Sequence, residues 1–157
     1  MLNVKPPQSV IDTIGTVLFL AGSIEQGKAE DWQQEVYNQL LDLNGTILNP
    51  RRDDWDSTQE QTVDNPYMVE QIYWELNGID LCDFVFFNFC GGTISPISLM
   101  ELGMMTDQEN VIVRCDENYF RRANVEIFCS RCAIPFFTDF DDAIYSLRRE
   151  LTDNFEV

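Results

Sequence analysis

Short, continuously apolar runs recur along this chain, each followed by sequence of helical periodicity, and that alternation restricts the fold more than any other feature. Thr16 to Ala21 (TVLFLA), Thr46 to Asn49, Asp83 to Phe89 (DFVFFNF), Val111 to Cys115 and Ala133 to Phe137 read as strands, the longer ones apolar enough for burial on both faces. Between them, Ala29, Trp32, Val36 and Leu40 recur on one face of a helix predicted from about Lys28 to Leu41. Pro66 opens a second helix, with Met68, Ile72 and Leu76 on one stripe and Gly78 as its end. Ser95-Pro96 heads a third as N-cap and first-turn pair, and Arg121 to Arg131 and Asp139 to Leu151 are the last two. Five strands alternating with helices imply an α/β fold, a parallel sheet covered on both faces. One domain over 1–157 is expected, with residues 1–14 an extension before the first strand. Ligands of such sheets bind beyond the carboxyl ends of the strands, where the segments 22–27, 50–55 and 90–98 converge.

Composition then narrows the chemistry. The chain has no histidine, which excludes serine triads, Cys-His pairs and the HExxH zinc helix. Chemistry near neutral pH falls to carboxylates, thiols, amines or hydroxyls. A net charge of −17, from 27 acidic and 10 basic residues, disfavours nucleic acid and anionic membranes as partners. Cys129 and Cys132 have zinc-like spacing, but no second pair matches it, so no metal and no cofactor are expected. No apolar run is long enough to span a bilayer and the start lacks a secretory pattern, so the expected location is the cytoplasm.

Gly22 to Lys28 matches the opening of a phosphate-cradling P-loop after a strand, yet Ala29 replaces the magnesium-holding hydroxyl and Glu25 sets a negative charge against the phosphates. A nucleotide triphosphatase is therefore disfavoured, although the backbone of Gly22, Ser23 and Ile24 can still donate to a sugar or phosphate oxygen. Ser95 and Ser98 bring hydroxyls to a helix start, which is either an anion site or an ordinary cap. Glu101 lies on the same helix among apolar neighbours. It either faces a pocket, where desolvation raises its pKa, or forms a cap or ion pair as helical glutamates commonly do. Glu75, on the preceding helix, is a candidate second acid, and two such carboxylates suit glycosidic chemistry. If that helix ends at Gly78, Glu75 lies near its end and must reach inward. Trp55, in a long polar connection, offers a flat face for a nucleobase, and Arg51 and Arg52 a local positive charge. Arg121 and Arg122 are a second basic pair, or simply a solvated helix start.

Five blocks, 17–33, 48–56, 71–83, 95–103 and 120–131, together resemble the nucleoside 2-deoxyribosyltransferase family, in its deoxyribosyltransferase-like branch. The resemblance implies a flavodoxin-like, Rossmann-like three-layer sandwich with five parallel strands. It also implies a glutamate nucleophile at Glu101, an acid assisting the leaving base at Glu75, and an oligomer in which a neighbour helps close the pocket. Phe19 stands where relatives carry a tyrosine that positions the nucleophile. Ser95 stands where the transferases carry an aspartate that meets the sugar 5′-hydroxyl, and where related 5′-monophosphate N-glycosidases carry a serine used on the phosphate. The expected ligand is thus a nucleoside or nucleotide. The rival readings are a non-catalytic module that senses a nucleotide and a glycohydrolase acting on NAD or a related dinucleotide.

Overall fold

The computed structural model describes residues 1–25, 29–106 and 109–153. Among them strands and helices alternate as β1 (Leu2–Val4), β2 (Val17–Gly22), α1 (Trp32–Gln39), β3 (Thr46–Leu48), α2 (Pro66–Leu81), β4 (Phe84–Phe89), α3 (Pro96–Gly103), β5 (Val111–Cys115), α4 (Arg122–Arg131), β6 (Phe136–Phe137) and α5 (Phe140–Asp153). The strands form one parallel sheet in the order β1-β3-β2-β4-β5-β6. This is the expected α/β sandwich, with six strands instead of five. The additional strand lies in the segment read as an extension: Leu2–Val4 pairs with Thr46–Leu48 at the sheet edge.

Side-chain alternation along the strands divides the core into two layers. Val17, Phe19 and Ala21 of β2 and Val85, Phe87 and Phe89 of β4 point to the side of α2, α3 and α4. Leu18, Leu20, Phe84 and Phe86 point to the opposite side, against Trp32, Val36 and Leu40 of α1 and Ala143, Ile144, Leu147 and Leu151 of α5. Both faces are therefore dry, which explains why these strands are apolar at every position. No helix among the described residues is long and apolar enough to cross a membrane.

Two expected boundaries change. Gly78 does not end α2, which continues to Leu81. Gly78 is there because the helix lies hard against β2: a Cβ at this position would sit 2.9 Å from the Phe19 ring. The buried face of α2 is Met68, Gln71, Trp74, Gly78 and Ile79, while Ile72 is exposed. Ala133, read as the start of the last strand, is instead a turn residue with φ 56, and β6 begins at Phe136.

The chain leaves β2 for β3 on one side and returns through α2 to β4 on the other. The carboxyl ends of β2 and β4 thus flank the point where strand order reverses, the place where sheets of this topology take ligands. Gly22 ends β2 there with φ 140, and a Cβ on it would lie 2.2 Å from the Asn88 carbonyl oxygen. Only glycine lets the two strand ends approach so closely.

Candidate active site

The two turns that leave β2 and β4 are tied together by hydroxyl groups. The Ser23 Oγ accepts from the Cys90 backbone N–H at 2.9 Å and lies 2.6 Å from the Thr93 hydroxyl and 2.8 Å from that of Ser95. Thr93 donates its own hydrogen to the Cys90 carbonyl. Proton counting then has Ser23 donating to Thr93 and Ser95 donating to Ser23. Ser98, one turn along α3, donates to the Gly22 carbonyl at 3.0 Å. Ser95 is not the side-chain cap expected of it: it makes no capping bond and sits at φ 46. The N–H groups of Ile94 and Ser95 are held by the Glu25 carboxylate, at 2.7 and 3.0 Å. The P-loop-like match continues into residues 26–28, which lie outside the described residues.

Glu101 follows Ser95 and Ser98 on the buried face of α3 and is only 5% exposed. Among the described residues its carboxylate has no hydrogen bond or ion pair, so the cap and salt-bridge alternatives do not apply. Burial, reinforced by the Glu75 charge, pushes its pKa up to about 8. Glu75 lies in the middle of α2 because the helix passes through Gly78, and it needs no inward reach from a helix end. Burial raises its pKa to about 7, against the opposing effect of a hydrogen bond from Gln71. That bond runs from Gln71 Nε2 to Glu75 Oε1 at 2.8 Å, and the same nitrogen donates to the Pro50 carbonyl at 3.0 Å. Two interacting carboxylates, one buried and one partly buried, lose their protons as a pair. Between the two ionisations the site holds one proton and one negative charge, the proton being shared between the two carboxylates and favouring Glu101.

The other predicted residues occupy varied positions. Phe19 is fully buried, with its ring 6.3 Å from that of Trp74, so it supports α2 from beneath. Arg51 donates to the carbonyls of Ala29 and Glu30 and to Gln33 Oε1, joining the end of β3 to the approach to α1. Arg52 is buried between Asp54 and Glu70 and lies over the Tyr67 ring. Trp55 packs against Tyr67 with ring centroids 6.0 Å apart, and its buried indole N–H has no partner among the described residues. Tyr67, Gln71 and Glu75 share one face of α2 at helical spacing, which carries Trp55 and Glu75 on the same side. Ile24 continues the turn after Ser23. Cavities of about 200 and 330 Å³ open at the opposite, amino-terminal edge of the sheet, lined by residues such as Asp80, Asp83 and Val111. Neither touches Glu75 or Glu101.

Sequence reasoning missed the structural roles of Gln71, Glu25 and Tyr119, whose hydroxyl donates to the Ile94 carbonyl at 2.7 Å. A polar residue four positions before Glu75 on a helix of apolar neighbours was the available signal for Gln71. Nothing local pointed to Tyr119.

Fold and site together describe an α/β protein with a pair of carboxylates, Glu101 buried and Glu75 partly so, below the strand-order reversal. The profile of the family described as nucleoside 2-deoxyribosyltransferase like matches residues 15–119, more than half of the chain, and the chain belongs to that family. A solved structure titled as a conserved protein from Enterococcus faecalis V583 superimposes with a TM-score of 0.58 at 11% identity, covering 90% of this chain and 99% of that one. At that identity the likeness concerns the fold alone. No curated protein matches the chain.

Proposed function

We propose that the chain cleaves the N-glycosidic bond of a (deoxy)nucleoside or nucleoside 5′-monophosphate through a covalent glycosyl-glutamate intermediate. The observation that carries this reading is Glu101: buried, without a basic partner among the described residues, and coupled to a second, partly buried carboxylate. In the first step a Glu101 oxygen attacks the anomeric carbon. The carbon–nitrogen bond breaks, its electron pair goes to the base, and the departing nitrogen takes the Glu75 proton. In the second step a nitrogen of another base, or water, attacks the same carbon and expels Glu101. The acceptor's proton passes to Glu75. This reading assigns sugar contacts to the turn at Gly22, Ser23 and Ile24 and to the oxygens of Ser95 and Ser98, whose hydrogens go to Ser23 and to the Gly22 carbonyl. The reading assigns the base to the Trp55 face, in the loop that Arg51 ties to the approach to α1.

The test is release of free base from a panel of nucleosides and nucleotides, followed by chromatography. Glu101→Gln is expected to lower the rate by at least about 10³-fold while retaining ligand binding. Activity equal to that of the parent would remove Glu101 from the mechanism.

The functional unit in this reading is an oligomer. Ile97 and Met100 on the outward face of α3, with Ile94 ahead of the helix and Met104 just after it, are all about half exposed or more. This uncharged stripe lies directly behind the site and is suited to a second copy of the chain.

A further inference from the structure

Gln71 is a buried amide on α2, 4% exposed and one helical turn before Glu75. Both hydrogens of its Nε2 are used: one goes to Glu75 Oε1 at 2.8 Å and the other to the Pro50 carbonyl at 3.0 Å. Its Oε1 is also buried and has no partner among the described residues. The fold therefore uses this amide for its donor hydrogens alone. An apolar side chain of the same length would pack here without leaving a carbonyl oxygen unpaired. The amide cannot turn over, because the exchange would set Oε1 against the Pro50 carbonyl, and two acceptors do not bond. Pro50 lies just beyond β3, whose neighbour in the sheet is β2. Gln71 is thus fixed from the sheet while it holds Glu75 on the helix.

The direction of donation decides how Glu75 handles a proton. A carboxyl oxygen that accepts a hydrogen bond is the less basic of the two. A proton on Glu75 therefore belongs on Oε2, which makes no hydrogen bond among the described residues. When Oε2 gives up that proton, negative charge develops on the carboxyl, and the Gln71 N–H is already in place to stabilise it. The same bond opposes the effect of burial on Glu75, which is the stronger acid of the carboxylate pair.

We infer that Gln71 is a positioning residue for the glycosidic step: it fixes the Glu75 carboxyl by Oε1, leaves Oε2 to protonate the departing base, and stabilises the carboxylate that remains. The proton passes from Oε2 to a nitrogen of the base as the carbon–nitrogen bond breaks and its electron pair goes to the base. The charge left on Glu75 is met by the Nε2 hydrogen. This rests on the glycosidic reading above and assigns a residue that acts through its proton donor.

The experiment compares the parent protein with Gln71→Met and Gln71→Glu on 2′-deoxyguanosine and 7-methyl-2′-deoxyguanosine. The methylated base carries its positive charge beforehand and departs neutral, so its release needs no proton donor; the unmethylated base needs one. Both variants keep the length of the side chain and lack its N–H groups, so the glutamate variant carries the test if the methionine variant does not fold. In the variants kcat/KM on 2′-deoxyguanosine is expected to fall by at least about 10-fold, and on the methylated nucleoside by less than about 3-fold. Equal losses on both would mean that Gln71 only supports the fold, and no loss on either that Glu75 works without it; each overturns the inference. If the parent releases base from neither, the glycosidic reading fails, and the hold of Gln71 on Glu75 is decided separately by carbon-13 NMR titration of the glutamate carboxyls. The Glu75 signal is identified by its absence in Glu75→Gln. A Glu75 that titrates higher in the variants than in the parent supports the assignment, and an unchanged titration overturns it. The same titration decides the case in which only one nucleoside is cleaved.

Discussion

Glu101 brings an ionisable group into the core without compensation, and this has a consequence for stability that can be read against pH. Its folded-state pKa of about 8 exceeds the ordinary 4.5, so the folded chain binds more protons than the unfolded chain between these values. Stability must therefore fall as pH rises from about 4.5 through about 8. Glu101→Gln removes the penalty: the variant is expected to be more stable than the parent by on the order of 3 kcal/mol at about pH 9, with the difference vanishing near pH 4. Urea titrations at the two pH values check this, and a variant less stable at both would mean that the carboxylate is satisfied in the fold. The pair also sets the rate profile. With one carboxylate ionised and one protonated in the active form, activity is expected to be bell-shaped with an optimum at about pH 7 to 8. Replacing Glu75 with Gln removes the like charge that helps raise Glu101. The nucleophile should then titrate lower, though still above 4.5 because burial is the larger cause.

Packing between elements is held by two glycines that fail differently when replaced. At Gly22 an added Cβ meets the Asn88 backbone at 2.2 Å and the φ of 140 disfavours any side chain. Neither can relax without parting β2 from β4. Gly22→Ala is expected to destabilise by more than about 3 kcal/mol. At Gly78 the obstacle is the Phe19 ring, and alanine gains about 1 kcal/mol of helix propensity against about 1 to 3 kcal/mol of overpacking. A net loss near 1 kcal/mol is expected, and parallel thermal melts of the two variants would check the ranking. The helices themselves were legible in the sequence because each presents an apolar stripe to the sheet. The stripe of α2 was misread: Met68, Ile72 and Leu76 follow a helical spacing, yet Gln71 and Gly78 are buried and Ile72 is not. Hydrophobicity cannot reveal a polar side chain drawn inward to hold a carboxylate, nor a glycine chosen for closeness. The strand Leu2–Val4 was missed for a related reason. Three residues carry too little pattern of their own and become a strand only by pairing with β3.

At the scale of the whole molecule, two properties oppose each other. A net charge of −17 makes copies of the chain repel, while the uncharged stripe along α3, with Met100 58% exposed, favours their association. Self-association is therefore expected to tighten as sodium chloride screens the charge, and Met100→Asp is expected to leave a monomer. Light scattering across a salt series checks both; a parent that is monomeric at every concentration would remove the oligomer from the proposal. Local pattern alone determined the layered parallel sheet, since strands buried on two faces and helices buried on one carry their environment in their own periodicity. It also marked Glu101, a charge among apolar neighbours in a chain with no histidine, with Glu75 on the preceding helix as a candidate second acid. Only the tertiary structure decided that the two are coupled, that Ser95 gives its proton to Ser23, and that Glu25 lies on amides some seventy positions away. Those contacts arise from strand pairing, which brings distant turns to one edge of the sheet, and no residue's immediate neighbours in sequence record it.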